Sequence, residues 1–477
     1  MEWRLAPLDT LFFRGPEPFN AGESMHVSSV FPPVPETMQG FVRTAILEAH
    51  CPTPALHAHG CGGDDGRCGA ADCPVLRFAG PAGSPVSAIQ LRGPYLLRAP
   101  DGTPDGAPGN AAPAPTGNAP AVGVERLFRT PLDIVVTAPG GGGAGKATFL
   151  RLGDRVRCDL GDLSLPQLDV TPGWQASATP PWLGESHFAA YLAGDAPPLA
   201  GLVESTDLWA GEGRVGIKVN EATHVADESM LYSIEAVRLR PGVSLAVRVG
   251  GLPGAVEAAA ASGLRRLGGE GRLAVTSLAP DADLPLLSTR ERVIAGIARH
   301  RRFKLVLLQP AYFPASAPNA TARDGDGDGN GDGGRMAAAG PCAGARGSWL
   351  PWWHDAHGQP QYPQPVNGAG TWRTQAAGVD LTLLGAVLDR PAYIGGWDMK
   401  ARAPKPLRPC VPAGAVYWFE MNVDAAGAAR AAAAIYERFN DATIGEGAAA
   451  GFGHVVVGAP HAAPDGHADP ASKGEDC

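Results

Sequence analysis

The sequence lacks an excess of positive charge, and it contains no apolar run long enough to cross a membrane. Its 39 Lys and Arg residues stand against 48 Asp and Glu residues, which gives a net charge of −9. This balance argues against a protein that binds nucleic acid through overall charge, so any such site must be local. The N-terminus also lacks the apolar segment of a secretory signal, and we therefore expect a cytoplasmic protein.

Cysteine pairs at short spacing are missing as well. Of the eight cysteines, Cys51, Cys61, Cys68 and Cys73 are close in sequence, but none forms the C-x2-C pair that is usual in structural zinc sites. Two interpretations remain open: the four thiols bind zinc, or they lie reduced in a Gly/Asp-rich insertion. We assign no metal and no cofactor to the chain.

Two further tracts resemble ligand-binding loops without their essential residues. Residues 140–147 read GGGGAGKA and place Ala147 where a phosphate-binding P-loop has a Ser or Thr for magnesium. Residues 324–332 alternate glycine with acidic or amide residues, but Arg335 stands where a calcium-binding EF-hand needs a bidentate acid. Both tracts are therefore interpreted as solvated loops.

Glycine and proline are abundant in this chain. The 64 glycines and 46 prolines make up about 23% of the 477 residues, against about 12% in average usage. The length is sufficient for two to four domains. The Gly, Pro, Ala and Asp excess is concentrated in four tracts, 51–73, 99–123, 140–145 and 324–334. We expect these tracts to be surface insertions that are dispensable for function.

The rest of the chain has a mixed α+β pattern. Residues 3–13 predict a first strand, and Met38, Phe41, Val42, Ala45 and Ile46 recur at helical spacing in a first helix. A second helix is predicted at 255–267, and strands at 381–388, 415–423 and 455–457 surround a third helix at 425–439. This order predicts two β-α-β-β-α-β units.

A glycine-rich stretch near the end, residues 443–458, reads TIGEGAAAGFGHVVVG. It connects a predicted helix to a predicted strand. Backbone N–H groups around Gly451 and Gly453 could cradle phosphate oxygens, and Phe452 and His454 could stack on a base. A loop that only turns the helix back onto a sheet remains the alternative. We expect bulky substitutions at the two glycines to weaken RNA binding in a protein that still folds.

Other segments combine small residues, aromatic rings and cations. Residues 393–398 read YIGGWD, and Lys405 and Arg408 follow closely. Residues 290–304 hold the densest basic cluster, which predicts either an RNA-facing patch or cations at a helix end. The Gly-containing segment 213–220 carries two more cations, Arg214 and Lys218.

The order of several motifs resembles a known family. These motifs are PLDTLFFR at 7–14, PFNAG at 18–22, FPPVPETMQGFVR at 31–43, YIGGW at 393–397, PAGAVY at 412–417 and GFG at 451–453. In this order, they resemble the third-subunit family of the Cmr (type III-B) CRISPR effector, which belongs to the RAMP superfamily. The resemblance implies two ferredoxin-like, RRM-related domains at 1–279 and 280–459 with long loop insertions, followed by a disordered tail at 460–477.

The resemblance also implies a function in antiviral defence. It implies a non-catalytic ribonucleoprotein subunit that holds the repeat-derived 5′ tag of the guide RNA beside the large polymerase/nuclease subunit and the backbone RAMP subunits. Target RNA would be contacted only indirectly, and no membrane is involved. The residues expected to bind RNA are Asn20, Ser24, His26, Arg43, Arg214, Lys218, Gly395, Gly396, Trp397, Lys405, Arg408, Gly451, Phe452, Gly453 and His454. No residue is assigned a catalytic role.

Two other functions remain as alternatives. A RAMP endoribonuclease that processes CRISPR transcripts would use His26 or His454 as general acid or base. A calcium- or zinc-binding adhesion module is the third possibility, and the expected cytoplasmic location opposes it.

Overall fold

The computed structural model describes residues 1–15, 26–51, 89–99, 123–140, 142–158, 161–169, 171–219, 226–279, 289–314, 347–366, 371–398 and 403–461. These residues form a strand-rich α+β structure, which confirms the predicted class. Within them, no helix is long and apolar enough to cross a membrane.

The described residues between 2 and 279 form three sheets and three α-helices. The strands are β1 (Glu2–Pro7), β2 (His26–Ser28), β3 (Gln90–Arg98), β4 (Glu125–Arg129), β5 (Ile134–Pro139), β6 (Lys146–Cys158), β7 (Gly161–Leu168), β8 (Trp174–Ser177), β9 (Trp182–Gly184), β10 (Leu202–Val203), β11 (Trp209–Val219), β12 (Ala226–Leu239), β13 (Val243–Gly250), β14 (Gly263–Arg266) and β15 (Leu273–Ala279). The helices are α1 (Pro35–His50), α2 (Glu185–Leu192) and α3 (Gly254–Ala260).

The largest of these sheets has eight strands in the order β10-β9-β4-β3-β13-β1-β15-β14. The same part of the chain also forms a three-stranded sheet, β11-β12-β2, and a four-stranded sheet, β7-β6-β5-β8. Helix α1 begins with Pro35 and Glu36, which suit a helix N-terminus. All five of its predicted apolar positions are buried, and they pack with Trp3 and Leu5 of β1.

The helix predicted at 255–267 is wrong in its second half. The observed α3 ends at Ala260, and residues 263–266 form β14, which pairs with β15. Gly263 has φ +87°, a left-handed conformation that ends a helix. Hydrogen bonding of this segment to β15 therefore overrides its helical pattern.

Residues 290–458 form the second half. Its strands are β16 (Arg302–Leu307), β17 (Trp353–His354), β18 (Pro360–Gln361), β19 (Gln364–Val366), β20 (Thr371–Ala376), β21 (Val379–Val387), β22 (Ala392–Ile394), β23 (Trp397–Asp398), β24 (Ala403–Pro404), β25 (Arg408–Cys410), β26 (Val416–Met421), β27 (Ala442–Thr443) and β28 (His454–Gly458). The helices are α4 (Arg290–His300) and α5 (Ala428–Phe439).

A seven-stranded sheet, β19-β20-β21-β26-β16-β28-β27, is the centre of the second half. All residues of β28 are buried, because α4, α5 and α2 contact this strand. Helix α5 presents a buried stripe of small and apolar side chains, including Ala432, Ile435 and Phe439. The ring of Phe439 stacks on Phe303 of β16, so the helix is fixed to the middle of the sheet.

The two large sheets meet at the glycine-rich loop. A Cβ atom on Gly451 would lie 3.2 Å from the carbonyl oxygen of Gly93 in β3, so glycine permits this close approach. On the other side of the junction, the side-chain amide of Gln309 donates a hydrogen bond to the carbonyl of Pro94 at 2.7 Å. The backbone of one sheet is thus pinned directly to a loop of the other.

Candidate nucleic-acid interface

A cleft of about 640 Å³ lies where residues of the two halves meet. This volume is in the range of ligand-binding pockets, which are mostly apolar with a few polar groups. The aromatic lining residues include Phe31, Trp182 and Tyr393. Prolines from both halves also line it, namely Pro32, Pro33, Pro35, Pro94, Pro131, Pro180, Pro181, Pro310 and Pro412. Their fixed φ angles make the wall stiff.

Few charged groups reach this cleft. Arg14, Arg129 and Asp389 are among its lining residues. The Arg129 guanidinium lies 4.7 Å from the ring centroid of Trp182. Burial lowers the pKa of Arg129, although the negative charge of Asp389 acts in the opposite direction. A guanidinium stacked on an aromatic face in an apolar cleft suits a planar or anionic ligand.

An arm formed by the paired strands β22–β25 and β23–β24 borders the cleft. Tyr393 is 59% exposed and Trp397 is 53% exposed, although both are large aromatic residues. Between them, Gly395 and Gly396 line the cleft. Two exposed rings beside a glycine pair provide a surface on which bases can stack.

Two cations of the arm bind one carboxylate at the start of α1. Lys405 Nζ lies 3.5 Å from Glu36 Oε2, and Arg408 Nη1 lies 3.4 Å from Glu36 Oε1. Because one acid is shared by two cations, the local charge of this cluster is positive. The Arg408 guanidinium also lies 5.6 Å from the ring centroid of Tyr312.

The glycine-rich loop lies inside the junction rather than at the surface. Phe452 is 2% exposed and His454 is fully buried. The geometry fits a neutral His454 whose Nε2–H donates to Asp441 Oδ1 at 2.7 Å and whose Nδ1 accepts from the Tyr95 hydroxyl at 3.2 Å. Burial lowers the pKa of His454. Burial alone would raise the pKa of Asp441, but the hydrogen bond that it accepts from His454 and the nearby charge of Arg248 together hold its pKa below the usual range.

A second group of candidates lies on the three-stranded sheet. His26 is exposed, and its Nδ1 lies 2.9 Å from the hydroxyl of Ser233, its partner in β12. Arg214 in β11 donates to Asp9 and Glu212 at 3.1 and 2.9 Å. Arg238 and Arg272 donate to Asp9 as well, so three guanidinium groups surround two carboxylates.

The family model described as CRISPR-associated protein (Cas_Cmr3) matches residues 3–460 of the chain. The chain belongs to the Cas_Cmr3 family. This match confirms the resemblance that the motif order indicates. No curated protein matches the chain.

Two solved structures are similar to this Cas_Cmr3 chain at low identity. One is the cryo-EM structure of the type III-B Cmr-beta bound to cognate target RNA, with 12% identity, a TM-score of 0.38 and coverage of 88% of this chain and 86% of that chain. The other is the state 1 structure of Cmr-beta bound to cognate target RNA and AMPPnP, with 11% identity, a TM-score of 0.37 and the same coverage.

Most of the predicted RNA-binding residues of this Cas_Cmr3 chain fall in three places. The arm brings together Gly395, Gly396, Trp397, Lys405 and Arg408. The buried loop holds Gly451, Phe452, Gly453 and His454, and the three-stranded sheet holds His26, Arg214 and Lys218. Arg43 lies apart on α1, where burial lowers its pKa. Asn20, Ser24 and the side chain of Lys218 lie outside the described part of the chain.

Most of the basic cluster at 290–304 is engaged by acids. Arg290 pairs with Glu437, Arg292 with Asp195, and Arg302 with Glu420. Lys304 is fully buried and points away from the surface. The cluster therefore offers fewer cations to a ligand than its sequence indicates.

Sequence reasoning missed Arg129, Trp182 and Glu36 of this Cas_Cmr3 chain. No local sequence pattern marks any of the three, and only the fold brings Arg129 and Trp182 to the cleft and Glu36 to the cations of the arm. The proline pairs at 32–33 and 180–181 were a usable signal, because both line the same wall.

The structure leaves the zinc hypothesis untested. Cys51 is buried at the end of α1, and Cys61, Cys68 and Cys73 lie outside the described residues. In the part of the chain that the structure describes, no group of three His, Cys, Asp or Glu residues could hold a metal ion.

Proposed function

We propose that this Cas_Cmr3 family member is a non-catalytic RNA-binding subunit of a type III-B CRISPR ribonucleoprotein that holds the repeat-derived 5′ tag of the guide RNA. The observation that carries the proposal is the arm with strands β22 to β25, which lines an apolar cleft through Tyr393, Gly395 and Gly396. The same arm carries exposed Trp397 and the cations Lys405 and Arg408. Unpaired bases stack on such rings, and nearby cations neutralise their phosphates.

In this proposal the chain consists of two ferredoxin-like domains at 1–279 and 280–459. Its support is that the eight-stranded sheet takes strands only from 2–279 and the seven-stranded sheet only from 302–458. The proposed partners are the large polymerase/nuclease subunit and the backbone RAMP subunits, in the cytoplasm. Target RNA is contacted only indirectly.

The proposed contacts divide by exposure. The arm and the three-stranded sheet, with His26, Arg214 and Lys218, supply direct contacts to the RNA. The side chains of Phe452 and His454 are buried, so they act by holding the two halves of the cleft together. Gly451 acts in the same way, through its close approach to β3, whereas Gly453 lets the loop pack closely against its own residue Ile444. Arg43, Asn20 and Ser24 remain proposed contacts.

The arm is tested by replacing its two exposed rings. Tyr393→Ala and Trp397→Ala should each weaken binding of a tag-bearing guide RNA by about 1–3 kcal/mol, the contribution of one stacked base. Fluorescence anisotropy with the full chain measures the affinity. Leu165→Ala removes another exposed apolar side chain, on β7, and serves as the control. Equal affinities for all variants would contradict the proposed site.

A cleavage assay distinguishes the endoribonuclease alternative from the proposed non-catalytic binding. Its remaining candidate is His26, which is exposed and bonded to two serine hydroxyls, whereas buried His454 cannot reach a substrate without opening of the junction. Incubation of repeat-containing RNA with the full chain should leave it intact. Cleavage that His26→Ala abolishes would establish the nuclease instead.

A second test uses variants of opposite charge in the arm. Glu36 competes with phosphate for both cations, so Glu36→Gln should maintain or strengthen RNA binding. Lys405→Gln and Arg408→Gln should weaken it and reduce the salt slope by roughly 0.7 per lost phosphate contact. Titrations at several salt concentrations measure both effects. Weakening by Glu36→Gln equal to that by Lys405→Gln would show that the cluster only stabilises the fold.

A further inference from the structure

The chain near its C-terminus inserts a histidine into a buried charged cluster. The His461 ring stacks on Phe149 of β6, with centroids 3.2 Å apart and planes 6° apart. Its Nε2 lies 2.6 Å from Lys304 Nζ, and Lys304 in turn lies 3.1 Å from Asp133 Oδ2. Lys304 and Asp133 are both fully buried, which makes this an ion pair shielded from water.

The groups around His461 favour a neutral imidazole. Lys304 has three N–H donors, and they point to Asp133, to His461 Nε2 and to the face of Tyr191, whose ring centroid is 3.9 Å away. The other ring nitrogen, Nδ1, then donates to the carbonyl of Gly194 at 3.4 Å. Burial and the charge of Lys304 lower the pKa of His461 to about 4, and burial lowers that of Lys304 to about 8.

This cluster ties together three separate parts of the fold. Phe149 belongs to the four-stranded sheet, Tyr191 to α2, and Lys304 to the seven-stranded sheet. The Tyr191 hydroxyl donates to Asp133 Oδ1 at 2.6 Å, so the carboxylate accepts from both sides. Without His461, one donor of a buried ammonium would lose its acceptor.

Asp133 also lies within a wall of the cleft. Its neighbours Leu132 and Ile134 line the cleft, together with Thr130, Pro131 and Val135. The backbone N–H of Leu132 donates to the carbonyl of Gly414 at 2.8 Å, which fixes the same wall to the second half. The position of this wall therefore depends on the cluster that His461 completes.

We propose that His461 is a positioning residue for the RNA site: it clasps the Lys304–Asp133 pair and thereby holds the cleft wall at 130–135 in place. The effect on the wall follows from the contacts alone. The effect on RNA rests on the function proposed above. Residues near the C-terminus would thus control a binding site built from residues far earlier in the chain.

Hydrogen exchange of the full chain tests the clasp without RNA. His461→Ala should speed exchange of the amides at 132–136 and 149–152 by about tenfold or more, because the buried ammonium loses an acceptor. His461→Gln supplies an amide oxygen in its place and should restore most of the protection. His357→Ala alters an exposed histidine and should change nothing. Unchanged exchange in His461→Ala would overturn the proposal.

The pH profile separates positioning from simple packing. When the wall is in place, the pKa of His461 lies below its ordinary value of 6.5, and when the wall opens, the exposed ring regains that ordinary pKa. As pH falls, His461 therefore takes up a proton in the open state before it does so in the closed state. Opening of the wall should therefore increase by about tenfold as pH falls from about 6.5 to 5, after correction for intrinsic exchange. His461→Gln should lack this rise, while both proteins share the titration of His454. Parallel profiles would contradict the clasp.

The RNA affinity of His461→Ala then shows whether the His461 proposal or the proposed RNA site is wrong. If His461→Ala loosens the wall and weakens guide-RNA binding by about threefold or more, both proposals stand. A looser wall with unchanged RNA affinity would preserve the clasp and remove the cleft from the RNA site. A wall as protected as in the wild type would refute the clasp even if Tyr393→Ala weakens RNA binding.

Discussion

Replacing Gly453 with alanine is expected to destabilise the second half by about 3–5 kcal/mol, among the largest effects of a single substitution. Gly453 has φ +63°, a left-handed conformation that costs other residues roughly 1–2 kcal/mol. The added Cβ would also overlap the carbonyl oxygen of Ile444, an atom of the backbone that no side-chain rotation can move. The hydrogen bond from the Ile444 N–H to the Gly453 carbonyl, 2.9 Å long, would be distorted.

Urea unfolding of Gly453→Ala and of Gly378→Ala separates the effect of the overlap with Ile444 from the effect of the left-handed conformation. Gly378 has a similar φ of +74°, but a Cβ there would meet no atom within 4 Å. The control should therefore cost only about 1–2 kcal/mol. Equal losses in the two variants would show that the overlap is relieved. The overlap with Ile444 thus leads us to expect that enlarging Gly453 destabilises the fold, in contrast to the sequence-based expectation that both glycines can be enlarged in a protein that still folds.

Removing the guanidinium of Arg126 is expected to cost about 3–5 kcal/mol as well. Arg126 is 4% exposed and donates to Glu2 at 2.9 Å and to Glu185 at 3.0 Å. Arg126→Met would remove the guanidinium that Glu185 binds and would leave Glu2 with Arg4, at 3.2 Å, as its ion-pair partner. Burial already raises the pKa of Glu185 in the intact cluster. The loss should appear as a lower midpoint of chemical unfolding at neutral pH.

Acid should partly rescue Arg126→Met. Carboxylates whose pKa is raised in the folded protein bind protons more readily there than in the unfolded chain, so their cost falls as pH falls. The combined variant Arg126→Met, Glu2→Gln, Glu185→Gln should recover much of the stability at neutral pH. Arg290→Met, which breaks an exposed pair with Glu437, should lower the unfolding midpoint far less than Arg126→Met does. A similar loss in both single variants would contradict the role of burial.

The sequence predicted individual helices and strands better than it predicted which segments pack against one another. The apolar spacing in α1 indicated its buried face correctly because that pattern depends on the helix alone. The segment 263–266 formed a strand because β15 offered it hydrogen bonds, and no local pattern carries that information. Likewise, four glycines indicated a close backbone approach, but not that Gly451 would approach β3 instead of a ligand.

The candidate site was predictable only in its exposed arm. Aromatic, glycine and cationic residues are adjacent in sequence there, so the combination is visible before folding. Glu36 is more than 350 positions from Lys405, and only the structure shows their ion pair. The tail predicted at 460–477 is described only at Pro460 and His461, and His461 packs into the Lys304 cluster. Its partners were invisible because they lie in three different elements.

The junction has a consequence for the order of events during synthesis. Arg92 and Arg248, which emerge early from the ribosome, both donate hydrogen bonds to Asp441. Tyr95 is likewise synthesised long before its hydrogen-bond partner His454. The first half can form its sheet as soon as residue 279 is available, but that face stays open to water until the final residues arrive. A nascent chain stalled before residue 441 would therefore display Arg92 and Arg248 without their Asp441 partner to chaperones and neighbouring subunits.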